Sequence, residues 1–177
     1  LIWPLFLTDG DNRREEIAAM PGVFRLSVDL AVKEAERAAK LGIPALATFP
    51  QVDLSLKDVS GTEILNSDNL INRATRAIKA AVPEIGIITD VALDPFTSHG
   101  HDGILREGVI VNDDTVDQVA AAAVLQAAAG SDIIAPSDMM DGRIGAIRDA
   151  LDSASFQDVA IMSYATKFAS AFYGPYR

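Results

Sequence analysis

Along this chain, short apolar runs alternate with longer stretches in which apolar residues recur every three or four positions. Leu1 to Leu7, Ile43 to Phe49, Gly86 to Leu93, Asp132 to Pro136 and Val159 to Tyr164 are nearly uninterrupted, the pattern of strands covered on both faces. Between them, Val28 to Leu41 sets Leu30, Ala31, Ala35, Ala38 and Leu41 on one helical face, with Ser27 placed to cap its start and Gly42 just past its end. Asp68 to Val82 repeats the pattern after Ser67, with Leu70, Ile71, Ala74, Ile78 and Ala81 in phase. Thr115 to Ala129 is Ala-rich, opens on the capping pattern Thr115 to Gln118 and stops at Gly130. Arg143 to Leu151 carries Ile144, Ile147 and Leu151. Five strands separated by four helices predict right-handed βαβ units and a parallel sheet. Two α/β architectures share this pattern, a five-stranded doubly wound sheet and the first five strands and four helices of a (β/α)8 barrel. Periodicity alone leaves both open.

Composition narrows the class of function. At 177 residues, 49% hydrophobic and 23% charged, the chain can bury a sizeable core and reads as one domain or part of a large one. A formal net charge of -10 repels phosphate backbones, and no basic cluster interleaved with aromatics offsets it, so nucleic acid is not an expected partner. The absence of cysteine excludes disulfides, thiolate nucleophiles and Cys-based zinc sites, and fits a reducing compartment such as the cytoplasm. The opening LIWPLFL is too short to span a bilayer and contains Pro4, so it reads as a buried strand and no membrane partner is expected.

In parallel α/β folds ligands bind at the carboxyl ends of the strands. Those ends carry Thr8 and Asp9, Gln51 and Asp53, Asp90 and Asp94, Ser137 and Asp138, and Lys167, whereas the opposite ends carry Gly42, Gly86 and Gln157. Polar groups therefore gather on one rim. Lys167 is the one charged side chain between Asp158 and Arg177, set among Tyr164, Phe168, Phe172 and Tyr173. A lysine there can simply reach water with its stem along apolar surface, or it can serve as a Schiff-base amine. The second role needs a neutral amine. At an ordinary pKa of ~10.4 only about one lysine in a few thousand is neutral at pH 7, and lowering the pKa to ~7 disfavours the charged form by about 4 to 5 kcal/mol. Aromatic desolvation acts in that direction.

The stretch MSYATKFASAFYGPYR (Met162 to Arg177) closely resembles the active-site segment of porphobilinogen synthases, also called 5-aminolevulinate dehydratases. TDVALDPFTSHGHDG (Thr89 to Gly103) resembles the family's metal-binding region, APSDMMDGRIGAIR (Ala135 to Arg148) its next block, and LIWPLFLTDGDNRREEIAAMPGVFRLSVD its first strand and following loop. The matches are long, in order, and cover essentially the whole chain. The resemblance implies a TIM barrel, with residues 1–177 as a partial catalytic domain. It also implies a lyase of heme and tetrapyrrole biosynthesis that condenses two 5-aminolevulinate molecules to porphobilinogen with loss of two waters. Lys167 matches the first of the family's two Schiff-base lysines and Asp90 an aspartate beside the reacting groups. Arg177 matches an arginine that binds a substrate carboxylate, Ser137 a serine lining the site, and Tyr173 an aromatic near the lysine.

Many family members hold a catalytic zinc with three cysteines where this chain has Ala92, Asp94 and Asp102. Carboxylates favour hard cations. The resemblance thus implies the cysteine-free branch, with no zinc, Asp94 and Asp102 as ligands of a hard cation if any is held, and either magnesium at an allosteric site outside this sequence or no metal. His99 and His101 read as loop structure. The resemblance further implies a homo-octamer whose amino-terminal arm, second lysine and strands six to eight lie outside this sequence. A sheet that stops after its fifth strand is expected to leave both edges unpaired, and a chain with one such lysine is expected to be inactive alone. Two other readings stay open on the residues themselves. A class I aldolase would act on pyruvate or sugar phosphates, and a non-catalytic small-molecule-binding module would be a stable monomer with protected edges.

Overall fold

The computed structural model describes residues 1–166. In chain order the elements are β1 (Ile2–Leu7), β2 (Arg14–Glu16), β3 (Phe24–Leu26), α1 (Val28–Lys40), β4 (Ala45–Pro50), α2 (Leu70–Ala81), β5 (Gly86–Val91), β6 (Ile104–Arg106), β7 (Val109–Val111), α3 (Asn112–Ala129), β8 (Ile133–Pro136), α4 (Arg143–Ser153) and β9 (Ala160–Ile161). Two short 3-10 turns, Leu54–Leu56 and Thr62–Leu65, lie between β4 and α2.

The topology separates the two architectures that periodicity left open. β1, β4, β5, β8 and β9 are parallel and lie side by side in chain order. A doubly wound sheet reverses its strand order at a switch point, and no reversal occurs among these strands. Right-handed crossovers that always step the same way leave every helix on one face, which is the winding of a (β/α) barrel.

Alternation along the strands follows from that winding. Leu5, Leu7, Leu46 and Ile87 point to the helices and pack with Ala31, Ala35, Ala38, Ala74 and Ile78. Further along the sheet, Val91 and Ile134 pack with Val119, Ala123, Ile147 and Leu151. The opposite, concave face carries Phe6, Phe49 and Ala47 half-buried, so the first two parallel strands are covered on one face, not on both as their apolar runs suggest. Phe6 and Phe49 stand opposite each other in register and stack with ring centroids 5.7 Å apart.

Several expected boundaries shift for local reasons. Ser27 does occupy the N-cap position of α1, but its hydroxyl makes no cap bond; it donates to Asp29 Oδ1 (2.5 Å) and accepts from the Arg13 N–H (2.9 Å). The cap of α2 is Asn69, whose side chain accepts from the Asn72 N–H at 3.0 Å, two residues beyond Ser67. α3 begins three residues before Thr115. The Thr115 hydroxyl donates to the Val111 carbonyl (2.5 Å) and accepts from the Ile104 N–H (3.0 Å), while Gln118 Nε2 donates to the carbonyls of Ser60 and Gly61 (2.7 and 3.2 Å). Gly42 and Gly130 follow their helices with positive φ, as expected.

Two further corrections concern the sheet. The outer side of β1 is not wholly unpaired: β3 runs parallel to it with Phe6 opposite Arg25 and Leu7 opposite Leu26, and β2 pairs antiparallel with β3. The end away from the rim is not bland either. Lys79 Nζ donates to the carbonyls of Pro83 (2.9 Å) and Ile85 (3.2 Å) and pairs with Asp132 (3.1 Å), whose carboxylate accepts from the Ile87 N–H at 2.7 Å. This clasp ties α2, β5 and β8 together at the base.

Candidate active site

The carboxyl ends of β1, β4 and β5 open into a depression of about 330 Å³. Its floor is apolar, built from Phe6, Phe49, Pro50, Val52 and Pro95, and its polar lining comprises Gln51, Asp90, Asp94, Arg25 and Lys57. Asp90 stands opposite Ala135 in the β5–β8 ladder, two positions past Ile88, which pairs with Ala47. That register puts Asp90 on the concave face with Phe49. Its carbonyl accepts from Gln126 Nε2 of α3 at 3.1 Å, fixing this strand end against the helix layer. Asp94 is exposed at the lip of the same depression.

The other expected site residues are distributed differently. Ser137 follows β8, half-buried, and its N–H continues the ladder to the Val91 carbonyl at 3.4 Å. Alternation from Ala135 sets it on the same face as Asp90, one strand over and outside the described lining of the depression. Asp102 is half-buried and lies near Asp138, whose carboxyl feels its charge. Asp138 itself is fully buried. Burial pushes its carboxyl above the ordinary 3.8, opposed by the Met140 N–H (2.8 Å) and the Arg143 guanidinium (3.4 Å). Lys167, Tyr173 and Arg177 lie outside the described residues.

Of the remaining rim groups, Asp9 forms an ion pair with Arg73 of α2, Thr8 is buried, and Asp53 caps the Leu54–Leu56 turn. The Ser55 hydroxyl (2.6 Å) and N–H (2.8 Å) hold the Asp53 carboxyl below its usual range.

The loop carrying Asp94 and Asp102 is buckled to the loop after β4. The Ser98 N–H donates to the Asp58 carbonyl (2.8 Å), and Thr97 Oγ1 donates to the His101 carbonyl (2.9 Å). His99 Nδ1 accepts from the His101 N–H (3.1 Å), which leaves the proton on Nε2 to reach the Val59 carbonyl at 3.0 Å. Both ring nitrogens of His99 are thereby used in loop structure, as expected. The Asp58 carboxylate accepts from the Ser60 and Thr62 N–H groups and the Thr62 hydroxyl, which draws it below the ordinary range.

A zinc site built on soft ligands does not fit these residues. There is no cysteine, Ala92 is buried with no donor atom, and Asp102 lies by Asp138. Among the described residues, no three His, Asp or Glu side chains converge as a metal would need. No described helix is long and apolar enough to cross a membrane. Sequence reading missed Arg25 and Lys57, because a lone charge in a three-residue strand or a loop carries no periodic signal.

The sequence and the fold have counterparts among known proteins. The sequence matches the family description "Delta-aminolevulinic acid dehydratase" over residues 1–177. It is 64% identical over its full length to the delta-aminolevulinic acid dehydratase of Bradyrhizobium diazoefficiens, covering 50% of that protein. It is 50% identical over 99% of its length to delta-aminolevulinic acid dehydratase 1, chloroplastic, of Arabidopsis thaliana, covering 41% of it. The fold matches the crystal structure of delta-aminolevulinic acid dehydratase (porphobilinogen synthase) from Toxoplasma gondii ME49 in complex with the reaction product porphobilinogen, with a TM-score of 0.94 and 47% identity over 99% of this chain and 50% of that one. The chain thus spans about half the length of the relatives it matches. With a singly wound parallel sheet, carboxylates at its rim and a family match from first residue to last, this chain belongs to the delta-aminolevulinic acid dehydratase family.

Proposed function

We propose that this chain is the first part of the catalytic barrel of a porphobilinogen synthase, which condenses two 5-aminolevulinate molecules with loss of two waters. The observation that carries the reading is Asp90. It sits on the concave face at the carboxyl end of β5, above the Phe6–Phe49 floor, in a chain whose fold follows that of a structure holding the product porphobilinogen.

In this reading the neutral amine of Lys167 adds to the ketone carbon of one substrate molecule. The carbonyl oxygen leaves as water and a C=N bond replaces C=O. Asp90 accepts a proton or orients the substrate ammonium, the work of a carboxylate within hydrogen-bond reach of the reacting groups. Arg177 grips a substrate carboxylate with its planar fork, and Ser137 and Tyr173 line the site. The second substrate needs a second lysine, because one amine holds one imine. Asp94 and Asp102 offer oxygen donors only, which suit magnesium rather than zinc, and no step above is routed through a metal. The homo-octamer and the cytoplasm are parts of this proposal that rest on the family resemblance.

The test uses the full-length protein that contains this sequence. A colorimetric assay is expected to detect porphobilinogen formed from 5-aminolevulinate. Borohydride reduction during turnover is expected to add a substrate-derived mass to the peptide bearing Lys167. Turnover with no adduct on Lys167, or no porphobilinogen at all, would sink the assignment.

A further inference from the structure

A proline inside a parallel sheet withholds one ladder donor, and Pro50 withholds one at the rim. The Gln51 N–H donates to the Leu7 carbonyl of β1 at 2.8 Å. Backbone N–H groups alternate sides along a strand, so position 50 turns its nitrogen toward β5. Leu46 and Thr48 stand opposite Ile87 and Thr89, and the same register carried two residues further sets Pro50 opposite Val91. A residue in that place donates to the carbonyl just before Val91, which is that of Asp90. Proline has no N–H to give, and the β4–β5 ladder ends at Thr48 and Thr89.

A side chain supplies the missing bond. Gln126 of α3 is 1% exposed, and its Nε2 donates to the Asp90 carbonyl at 3.1 Å. A carbonyl only accepts, so the amide is held with its NH2 toward β5. Its Oε1 is then buried without a hydrogen-bond partner among the described residues. Half an amide left unsatisfied in a core is unfavourable, and an apolar residue would avoid that cost on a helix that buries Ala122, Ala123, Ala127 and Ala129 around it. Glutamine is therefore a poor filler here and an effective holder of one carbonyl. That carbonyl belongs to the residue whose side chain lines the depression, and a strand side chain turns with its own peptide plane.

We propose that Gln126 is a positioning residue for Asp90: reaching from the helix layer, it replaces the ladder bond that Pro50 cannot make and sets the angle at which the Asp90 carboxylate meets the reacting groups. The link to turnover rests on the functional reading above, whereas the hold on the strand end stands on the ladder geometry. The exchange also suits the site. Pro50 gives its ring to the apolar floor, and the bond passes to a donor buried in the core, where water does not compete for it.

The experiment compares full-length wild type with Gln126→Met, Gln126→Glu, Pro50→Ala and the double variant Pro50→Ala/Gln126→Met, by hydrogen exchange of a peptide spanning Thr89 to Leu93 and by steady-state kinetics. Methionine keeps the length of the side chain without its donor. Gln126→Met is expected to speed exchange across that peptide about tenfold, the loss of one hydrogen bond. It is also expected to lower kcat about 10- to 100-fold, the scale of a misplaced reacting group, with KM held within about twofold. Pro50→Ala returns a backbone N–H to the ladder, so in that background Gln126→Met is expected to lower kcat by less than about threefold and to leave exchange near that of Pro50→Ala alone. Gln126→Glu keeps the shape, and its buried acid donates the same bond while protonated, so its kcat relative to wild type is expected to fall as pH rises. Unchanged kcat in Gln126→Met would overturn the proposal. So would the same fractional loss in both backgrounds with a lower melting temperature, the mark of a space-filling role. If Gln126→Met does not fold, a Gln126→Glu to wild-type ratio that is flat with pH overturns it instead. Failure of the wild type to make porphobilinogen would count against the functional reading alone; exchange then decides the hold on the strand end, and unchanged exchange overturns it.

Discussion

A single methyl group at Gly103 is the sharpest probe of the loop that carries Asp94 and Asp102. A Cβ there falls 2.6 Å from Ile110 Cγ2, 3.3 Å from Thr115 Oγ1 and 3.4 Å from Met140 Cε. Carbon atoms settle at about 3.5 to 4.0 Å, so Gly103→Ala overlaps a β-branched side chain, stiff at χ1, by roughly 1 Å. The overlap costs about 1 to 3 kcal/mol. Crowding the Thr115 hydroxyl, which holds the Ile104 N–H, adds about 1 kcal/mol if that bond breaks. Gly103 has no positive φ, so the loss of unfolded-state freedom returns about 0.4 to 1 kcal/mol. The net destabilisation is about 1 to 3 kcal/mol, read as a lower melting temperature and urea midpoint. The assay is a double-mutant cycle by thermal and urea unfolding of full-length wild type, Gly103→Ala, Ile110→Ala and the double variant. Removing Cγ2 makes room for the new methyl, so the double variant is expected to be more stable than additivity gives by about 1 to 2 kcal/mol. Additivity within about 0.5 kcal/mol, or a Gly103→Ala protein as stable as wild type, would refute the steric reasoning. Turnover is expected to fall in the single variant and recover in the double.

Three other outcomes are expected. Burial raises the Asp138 carboxyl, so its contribution to stability is full below the ordinary value of 3.8 and is lost as pH rises through its folded pKa; Asp138→Asn should flatten the rise in relative stability seen on acidification, and parallel urea midpoints against pH would contradict this. Lys79→Met removes the base clasp to Pro83, Ile85 and Asp132 and should cost about 2 to 3 kcal/mol by urea unfolding while leaving KM unchanged; a shifted KM at full stability would mean the base is coupled to the chemistry. Chelator-washed full-length protein should hold substoichiometric zinc by mass spectrometry of its metals, and one tightly held equivalent would overturn the reading of Ala92, Asp94 and Asp102 as a poor zinc site.

Much of the scaffold was legible because long elements have a period. The helices around Ala35, Ile78, Val119 and Ile147, and the strands through Leu5, Leu46 and Ile87, repeat their pattern often enough to be read, and Asp90 could be singled out because a polar residue closes an apolar run. The winding of the sheet was not legible, because strand order is a relation between distant segments. β3 was missed because three residues cannot display alternation. Ser67 and Asn69 are both good capping residues two positions apart, and only the helix's hydrogen bonds distinguish them. Thr115 looked like a cap because Gln118 follows at the right spacing, yet both side chains tie α3 to neighbouring loops. The loop between Asp94 and Asp102 is tied down through Thr97, Ser98 and His99, contacts between distant segments that no local pattern announces.

The narrow contact between β3 and β1 bears on the order in which this fold is acquired. Phe6 and Leu7 meet residues only nineteen positions further along, whereas Ile2 meets Ala45 across a loop more than twice as long. The shorter loop closes at lower entropic cost, so the rim end of β1 is set early. The same strand from Ile2 to Leu5 has no partner on that outer side among the described residues and presents open backbone until one arrives. A stray chain that pairs during folding therefore meets the base of β1 first. One strand is thus divided into a shielded end, which bears the aromatic floor, and a vulnerable end, so that aggregation and chemistry are exposed to selection at opposite ends of six residues.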